Sequence, residues 1–555
     1  MLGPFLPAFA EMRAADLLIK CLENEGVTHV FGLAGEEIMP LLDALADSDI
    51  VYVSTRHEQG AALMADVYGR LTGRPGVCLA TLGPGATNLM TGVADAFLDR
   101  SPLVAITGQV GLEKVHKESH QYVDTVGLFD SIVKWQARVG NPEVVPEVVR
   151  KAFKVAETEK PGPTHLEISG EVAAEPAEGA PLARTPIEYP RPGQDAVRRA
   201  AAIIASSKRP MILAGNGVVR RRAAADLREF AASTGIPVAN TFMSKGVMGY
   251  ANPLARLTIG LQNRDYEMCG LAEADAVIAV GYDMVEVAPR FWNPGKDKQI
   301  IHIDTLPAEV DEHYIPAVEV VSEIGVALRL LMEMSDARTP PTDGDSLKAT
   351  VMEGLRAFAT DQSVPLKPQR ILADMRRVLA GNDLVISDVG AHKLWIARMF
   401  PALEPNSVII SNGFATMGIG VPGGVAAKLA QPDTRVVVAT GDGGFLMNVQ
   451  ELETAKRLRT PFVTMVWVDN GYGVIRWKQE REFGRSFGSD FGNPDFGKLA
   501  ESFGLPGFTV RRADDLAPTL ERALALEEPS VIAVPVDYSE NRRLIETMGE
   551  VEVTI

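Results

Sequence analysis

Cysteine is scarce in this sequence, with three residues in 555 (Cys21, Cys78 and Cys269). Three widely spaced thiols cannot build a disulfide framework or a thiolate metal site, so a reducing, cytoplasmic setting is expected. Long apolar runs are also missing. No segment approaches the roughly 18 residues that span a bilayer, and no membrane partner is expected. The apolar start, residues 1–10, has no basic residue and is followed by Glu11, which argues against a signal peptide.

Basic residues are outnumbered, 55 against 72 acidic residues, which gives a net charge of −17. Such a chain repels polyphosphate, so nucleic acid is not an expected partner. To bind a phosphorylated small ligand, the protein would need a metal ion or helix N-termini to balance the negative charge of the phosphate. The remaining composition, 46% hydrophobic and 23% charged, is that of an ordinary globular protein.

Short β-branched runs alternate with amphipathic stretches along the whole chain, which predicts α/β domains with parallel sheets. Two polar, proline-rich seams interrupt this pattern, at residues 171–193 and 335–367. They divide the chain into three predicted domains, each a mainly parallel sheet flanked by helices. The predicted boundaries are 12–175, 193–335 and 366–540.

Two glycine-rich turns in the first two domains follow predicted strands. Residues 77–81 read as a strand that runs into Gly83–Asn88, after which a helix should bury Leu89, Val93 and Phe97. This glycine-rich turn is compatible with two interpretations, a ligand-binding site and a plain βα connection. The second turn, residues 214–220, begins like a dinucleotide fingerprint, but Arg220 stands where a small residue should pack. A structural turn is therefore favoured there over nicotinamide binding.

The sharpest local pattern lies in the last domain. A predicted strand at 435–440 runs into Gly441-Asp442-Gly443-Gly444, then into a helix that should bury Phe445, Val449 and Leu452; a second strand at 462–468 ends in Asp469-Asn470. Adjacent parallel strands end at the same sheet edge, so Asp442 and Asn470 should meet there. Their oxygens suit Mg²⁺, and the glycines would admit a diphosphate. The alternative is an ordinary Gly-Asp-Gly turn.

Together these features resemble the metal and diphosphate motif of thiamine diphosphate (ThDP) enzymes. That motif usually ends Asn-Asn, whereas here it ends Asp469-Asn470, which keeps the metal-binding second position. The resemblance implies metal ligation by Asp442, Asn470 and the backbone carbonyl of Tyr472.

The resemblance extends to the acetolactate synthases. Residues 56–61, 64–70 and 83–88 are very similar to their pyrimidine-binding domain, and 387–392 and 411–418 to their diphosphate-domain loops. It implies that Glu58 bonds the aminopyrimidine ring, that Met417 supports the bent cofactor, and that Gln121 faces the substrate. Residues 34–37, Ala-Gly-Glu-Glu, depart from the usual Pro-Gly-Gly-Ala. The implied cofactor-binding residues are Gly35, Glu58, Pro84, Asn88, Gly390, Ala391, His392, Ala415, Met417, Gly441, Asp442, Gly443, Gly444 and Asn470.

Residues 116–135, 281–293 and 491–504 look most like the catabolic members, and 281–293 lacks the flavin-contacting pattern, so FAD is not expected. The implied reaction decarboxylates pyruvate on ThDP and joins the product to a second pyruvate, giving 2-acetolactate and CO₂. Decarboxylation of pyruvate produces an acyl carbanion, which needs a cofactor as an electron sink. Glu58 would serve best as a protonated carboxyl group, and an apolar setting favours that form. A dimer or tetramer with interface sites is implied. Alternatives are another ThDP decarboxylase or carboligase, a non-catalytic nucleotide-binding module, and a nicotinamide dehydrogenase.

Overall fold

The computed structural model describes residues 12–340 and 345–550, so the apolar start at 1–10 and part of the second seam lie outside it. The chain divides after Ile187 into two compact units. In the described residues there are three six-stranded sheets, and all their strand pairs are parallel. The predicted α/β fold class is therefore confirmed, while the three domain boundaries stay predictions.

The first unit contains one sheet with strand order β2-β1-β3-β4-β6-β5. Its strands are β1 (His29–Gly32), β2 (Val51–Ser54), β3 (Gly76–Ala80), β4 (Leu103–Gln109), β5 (Trp135–Val139) and β6 (Pro163–Ser169). Its helices are α1 (Ala14–Glu25), α2 (Met39–Ala46), α3 (Glu58–Thr72), α4 (Pro84–Leu98), α5 (Thr125–Phe129), α6 (Val145–Glu157) and α7 (Gly170–Ala174). Short 3₁₀ helices cover Glu36–Ile38, Asp130–Ile132 and Pro142–Val144.

The second unit begins with a sheet of order β12-β11-β10-β7-β8-β9. Its strands are β7 (Pro210–Ala214), β8 (Val238–Asn240), β9 (Ala255–Thr258), β10 (Ala276–Val280), β11 (Gln299–Asp304) and β12 (Pro316–Val321). The helices of this part are α8 (Gln194–Ser206), α9 (Asn216–Arg220), α10 (Ala224–Thr234), α11 (Asp265–Met268), α12 (Pro289–Trp292), α13 (Ile324–Glu333) and α14 (Ser346–Ala357).

The last sheet has the order β14-β13-β15-β16-β18-β17, which repeats the order of the first sheet strand for strand. Its strands are β13 (Leu384–Ser387), β14 (Val408–Ile410), β15 (Val436–Gly441), β16 (Val463–Val468), β17 (Gly507–Thr509) and β18 (Ser530–Pro535). The remaining helices are α15 (Pro368–Val378), α16 (Ala391–Met399), α17 (Gly420–Ala430), α18 (Asp442–Met447), α19 (Glu451–Leu458), α20 (Gly473–Phe483), α21 (Phe496–Ser502), α22 (Leu516–Leu524) and α23 (Glu540–Met548), with a 3₁₀ helix at Ala513–Asp515.

Both sheets of the second unit share one hydrophobic core cluster. A buried ion pair also joins them, because Arg398 Nη2 lies 2.6 Å from both carboxylate oxygens of Asp265. The second seam, predicted as a polar, proline-rich break between two domains, contains a helix. Its α14 turns Leu347, Val351 and Leu355 into the core at a spacing of four.

Helix starts differ from the sequence prediction at both glycine-rich turns. Helix α4 begins at Pro84 rather than after Asn88, since proline is well suited to the first helical position. The helix after β15 begins at Asp442 and ends at Met447, and α19 follows as a separate helix. Phe445 and Leu452 are buried as predicted, but Val449 lies half-buried in the break between the two helices.

All three cysteines are buried free thiols. Across the described ranges, no helix is both long enough and apolar enough to cross a membrane.

Candidate active site

The edge of the last sheet brings Asp442 and Asn470 together. Strands β15 and β16 pair in parallel, and the two residues follow their carboxyl ends. The Asn470 backbone N–H donates to Asp442 Oδ2 at 2.7 Å. The predicted proximity of Asp442 and Asn470 at this edge is therefore observed, and the contact is made by the Asn470 backbone rather than by its side-chain amide.

The Asp442 carboxylate is held by several N–H donors. Its Oδ2 accepts from the backbone of Asp469 at 3.2 Å and from the side chain of Asn493 at 2.7 Å, besides the Asn470 bond. Its Oδ1 accepts from the Gly443 backbone at 2.9 Å. Burial raises the pKa of Asp442, and these hydrogen bonds oppose the rise because they favour the charged form. Burial, followed by the charge of Asp442, raises the pKa of Asp469 to about 7.

The loop after Asn470 has a fixed backbone path. Asn470 itself has a positive φ of 57°, and Gly471 forms an antiparallel bridge with Asp490. The Tyr472 N–H donates to Ser489 at 2.8 Å, and its carbonyl accepts the first helical bond, from Arg476 at 2.9 Å. A carbonyl oxygen has two lone pairs, so this one can still bind a cation.

A cavity of about 90 Å³ lies beside these residues. It is lined by Gly390, Ala391, His392, Met417, Gly441, Asp442, Gly443, Gly444 and Tyr472, among others. The cavity lies where the strand order reverses between β13 and β15, which is the usual ligand position in parallel sheets. Most of the predicted diphosphate-binding residues therefore line this one cavity.

Close packing of the glycines shapes this cavity. A Cβ on Gly443 would lie 2.9 Å from the Tyr472 ring, so a side chain there would displace the ring. His392 is fully enclosed, and burial lowers its pKa to about 3, so the imidazole is neutral. Its Nε2 has no hydrogen-bond partner among the described residues. His392 lines the cavity at the start of α16, where the first N–H groups of a helix suit a phosphate ligand.

The segment that carries Ala415 and Met417 is held in place by hydrogen bonds to Asp388. Ala415 has a positive φ of 58°, and Met417 is half-buried and lines the cavity. Asp388 accepts from the backbone of Gly418 at 2.9 Å and of Gly420 at 3.1 Å. Asp388 belongs to the motif at residues 387–392, but the sequence analysis assigned it no role. The structure shows it holding the loop that presents Met417.

The first unit brings Glu58 and Asn88 together. Glu58 is the first residue of α3 and is 6% exposed, and Asn88 Nδ2 donates to its Oε2 at 2.9 Å. Gly92, one turn after Asn88, has the space for its Cβ filled by Ala62 at 2.6 Å. That close approach of α4 to α3 lets Asn88 reach Glu58.

The other predicted residues of this unit lie at the same sheet edge. Gly35 precedes the 3₁₀ helix after β1, and a Cβ on it would meet Thr81, which follows β3. Pro84 begins α4, after Gly83 with a positive φ of 52°. Gln121 is exposed, and its backbone carbonyl lies against Gly83. The strand order reverses between β1 and β3, as it does at the Asp442 edge.

The glycine turn of the middle sheet is packed against its own chain. A Cβ on Gly215 would lie 2.4 Å from the carbonyl oxygen of Gly281, and one on Gly217 would lie 2.6 Å from the Gly281 Cα. Arg220 ends the five-residue helix α9 and pairs with buried Asp283 at 2.5 Å. These contacts favour the structural interpretation of this turn.

Comparison with known protein families bears on these sites. Three domain families of the thiamine pyrophosphate enzymes match the chain: the N-terminal TPP binding domain at residues 12–128, the central domain at 197–331 and the C-terminal TPP binding domain at 388–534. The three parallel sheets, the glycine-lined cavity and these three matches identify the chain as a thiamine pyrophosphate enzyme.

Individual relatives narrow the class. The chain is 35% identical over 543 residues to the acetolactate synthase of Bacillus subtilis (strain 168), covering 96% of this chain and 94% of that protein. It is 36% identical over 549 residues to the catabolic acetolactate synthase of Raoultella terrigena, covering 97% of each. It is 32% identical over 538 residues to the acetolactate synthase isozyme 2 large subunit of Escherichia coli (strain K12), covering 96% of each. The chain belongs to the acetolactate synthase family, and the predicted function is confirmed.

Proposed function

We propose that this chain converts two pyruvate molecules and one proton into 2-acetolactate and CO₂, and that the Asp442 edge would hold the Mg²⁺ that accompanies ThDP. The observation that carries the assignment is the contact between Asp442 and Asn470 beside the glycine-lined cavity. A carboxylate, an amide oxygen and the Tyr472 carbonyl form the hard-oxygen set that Mg²⁺ prefers, and they leave positions for phosphate oxygens.

Bound ThDP supplies the electron sink that decarboxylation of a 2-oxoacid requires. Glu58 would hold a proton at the pyrimidine ring of the cofactor, and the Asn88 amide fixes the direction of that carboxyl. Enclosure of Glu58 keeps water from competing for the same hydrogen bond. Met417, an apolar side chain at the cavity wall, would support the cofactor from below.

The ratio of CO₂ released to pyruvate consumed tests the reaction type. A synthase releases one CO₂ for every two pyruvates, because the second pyruvate keeps its carboxylate. A simple decarboxylase releases one CO₂ for every pyruvate, together with free acetaldehyde. We expect the first ratio in the presence of ThDP and Mg²⁺; the second would establish the alternative, a decarboxylase of the same fold.

Purified protein is expected to be colourless and to turn over pyruvate without added FAD. The backbone of Gly281 fills the space next to Gly215 and Gly217, and the buried carboxylate of Glu286 binds the Met243 N–H at 2.8 Å. The Glu286 carboxylate is thus already hydrogen-bonded within the chain. Absorbance near 450 nm measures the prediction, and a stoichiometric yellow chromophore required for activity would contradict it.

Self-association is also proposed, because Glu58 and Asp442 lie in different compact units and ThDP needs both ends bound. The family resemblance supports a two-fold arrangement, and the Escherichia coli relatives are named large subunits.

A further inference from the structure

One buried carboxylate holds both ends of the loop that carries Gln121. We name residues 110–124, which join β4 to α5, the Gln121 loop. Glu167 of β6 is fully enclosed. Its Oε2 accepts from Gln109 Nε2 at 2.9 Å, at the end of β4, and from the Thr125 hydroxyl, at the start of α5. The two chain segments that flank the loop therefore meet at one oxygen atom.

The side chain of Gln109 adds a further link to the loop. Its Oε1 accepts from the Val110 N–H at 3.0 Å, and a backbone N–H can only donate, so the amide nitrogen must face Glu167. The same nitrogen donates to the Val123 carbonyl at 3.0 Å. An amide nitrogen has two N–H groups, and these two acceptors use both. The Gln121 loop is thus tied to the sheet two residues after Gln121.

The middle of the Gln121 loop rests on the glycine turn before α4. Gln121 has a positive φ of 58°, and a Cβ on Gly83 would lie 2.5 Å from the Gln121 carbonyl oxygen. Three backbone hydrogen bonds inside the loop each span three residues, as from the Tyr122 N–H to the Ser119 carbonyl at 3.2 Å. Local bonds of this kind shape the loop but do not set its position on the sheet, whereas the contacts at its ends do.

We propose that Glu167 is a positioning residue for Gln121, and this inference rests on the proposed function and on the implied contact of Gln121 with the substrate. By joining the two ends of the Gln121 loop, Glu167 holds the loop against Gly83, at the start of α4. An enclosed carboxylate suits this task, because hydrogen bonds to a charged group are stronger than those between neutral groups. Arg138 of β5 supplies the opposite charge, since its Nε donates to Glu167 Oε1.

Glu167→Gln keeps the size of the side chain but cannot accept all of these hydrogen bonds, because one carboxylate oxygen becomes an NH₂ group. A misplacement of about 1 Å can cost about 100-fold in rate, so kcat/KM for pyruvate is expected to fall about 10–100-fold. The dissociation constant of ThDP at saturating Mg²⁺ should stay near the wild-type value. The variant should fold, because the Arg138 side chain that loses its partner is 34% exposed.

A double-mutant cycle with Gln121→Ala separates positioning from general destabilisation. If Glu167 acts through Gln121, Glu167→Gln should lower kcat/KM much less in the Gln121→Ala background than in the wild-type background. Full additivity of the two losses would overturn the positioning role. Thr125→Val removes one of the two donors at the ends of the loop and should give a smaller loss of the same kind. It takes the place of Glu167→Gln if that variant does not fold.

Thr164→Val is the matched control. Thr164 lies three residues before Glu167, on the opposite face of β6, and its hydroxyl donates to the Ala152 carbonyl of α6 at 3.3 Å. The substitution removes a buried hydrogen bond whose partner lies outside the Gln121 loop, so kcat/KM should stay near the wild-type value. An equal loss in Thr164→Val and Glu167→Gln would reduce Glu167 to a general structural role and overturn the proposal.

Trypsin cleavage of the full chain gives a readout that does not depend on turnover. Lys114 and Lys117 are exposed residues of the Gln121 loop. Loss of a hydrogen bond to a charged group should make opening of the loop about tenfold more frequent, so cleavage there should be about tenfold faster in Glu167→Gln. Thr164→Val should be cleaved at the wild-type rate. A wild-type cleavage rate in Glu167→Gln would overturn the hold of Glu167 on the loop.

These measurements separate the inference from the proposed function. If the wild-type protein does not convert pyruvate, the proposed function fails, whereas faster cleavage in Glu167→Gln still supports the hold on the loop. If Gln121→Ala is as active as wild type, the contact of Gln121 with the substrate fails, and the positioning role of Glu167 fails with it.

Discussion

Coexpression of a Glu58→Gln chain with an Asp442→Ala chain is expected to restore about a quarter of wild-type activity, although each variant alone is inactive. The expected loss in each single variant has a local cause. In the proposed function, glutamine could not hold the carboxyl proton that Glu58 would supply at the pyrimidine ring, and alanine would remove the charged metal ligand. ThDP would need both groups at once, and they lie in different compact units.

The size of the recovery follows from counting sites. If the two units at one site come from different chains, a mixed dimer has one site with both lesions and one site with none. Random pairing makes about half of the dimers mixed, each with one intact site of two. About a quarter of wild-type activity is then expected, provided that the sites act independently.

The control is a mixture whose mixed dimers are confirmed by differential affinity tags. If Glu58 and Asp442 of one site came from the same chain, every site would carry one lesion and mixing would restore nothing. No recovery in tagged mixed dimers would therefore refute the interchain site.

Asp442→Ala should abolish ThDP binding that depends on Mg²⁺. Asp442 is the one charged group among the three proposed protein ligands, and a small, hard cation depends strongly on that charge. The substitution also leaves four N–H donors, those of Gly443, Asp469, Asn470 and Asn493, without their acceptor. We expect ThDP affinity at fixed Mg²⁺ to fall by more than ~100-fold, the upper limit for losing an outer partner.

Binding is measured by calorimetric titration of ThDP at fixed Mg²⁺. Asp490→Ala is a suitable control, because Asp490 lies on the adjacent loop but its side chain is 73% exposed and pairs with Arg476 at 2.8 Å. That variant should bind ThDP normally. Wild-type affinity in a folded Asp442→Ala protein would remove the metal assignment.

Sequence reasoning succeeded where a general rule of chain geometry applied. Asp442 and Asn470 could be brought together from sequence because adjacent parallel strands must end at the same edge. It failed on boundaries. The glycines of 441–444 suggested a turn, yet the helix begins at Asp442, whose side chain accepts the Gly443 N–H in the first turn.

Asn493 shows why part of the site could not be predicted. It lies in an irregular loop with no periodic pattern, and its position depends on the packing of Phe491 and Phe496 on distant segments. Glu58 and Asn88, by contrast, were both named from motifs. Their 2.9 Å contact depends on the close approach of α3 and α4 at Gly92, a tertiary feature that no local pattern expresses.

The most direct test of the account is the product formed from pyruvate labelled with ¹³C at its keto carbon, in the presence of ThDP and Mg²⁺. In 2-acetolactate made from two such molecules, the labelled carbinol carbon is bonded to the labelled ketone carbon. The account predicts paired ¹³C doublets from one-bond coupling in the NMR spectrum. A single uncoupled acetaldehyde signal, or unchanged pyruvate, would contradict it.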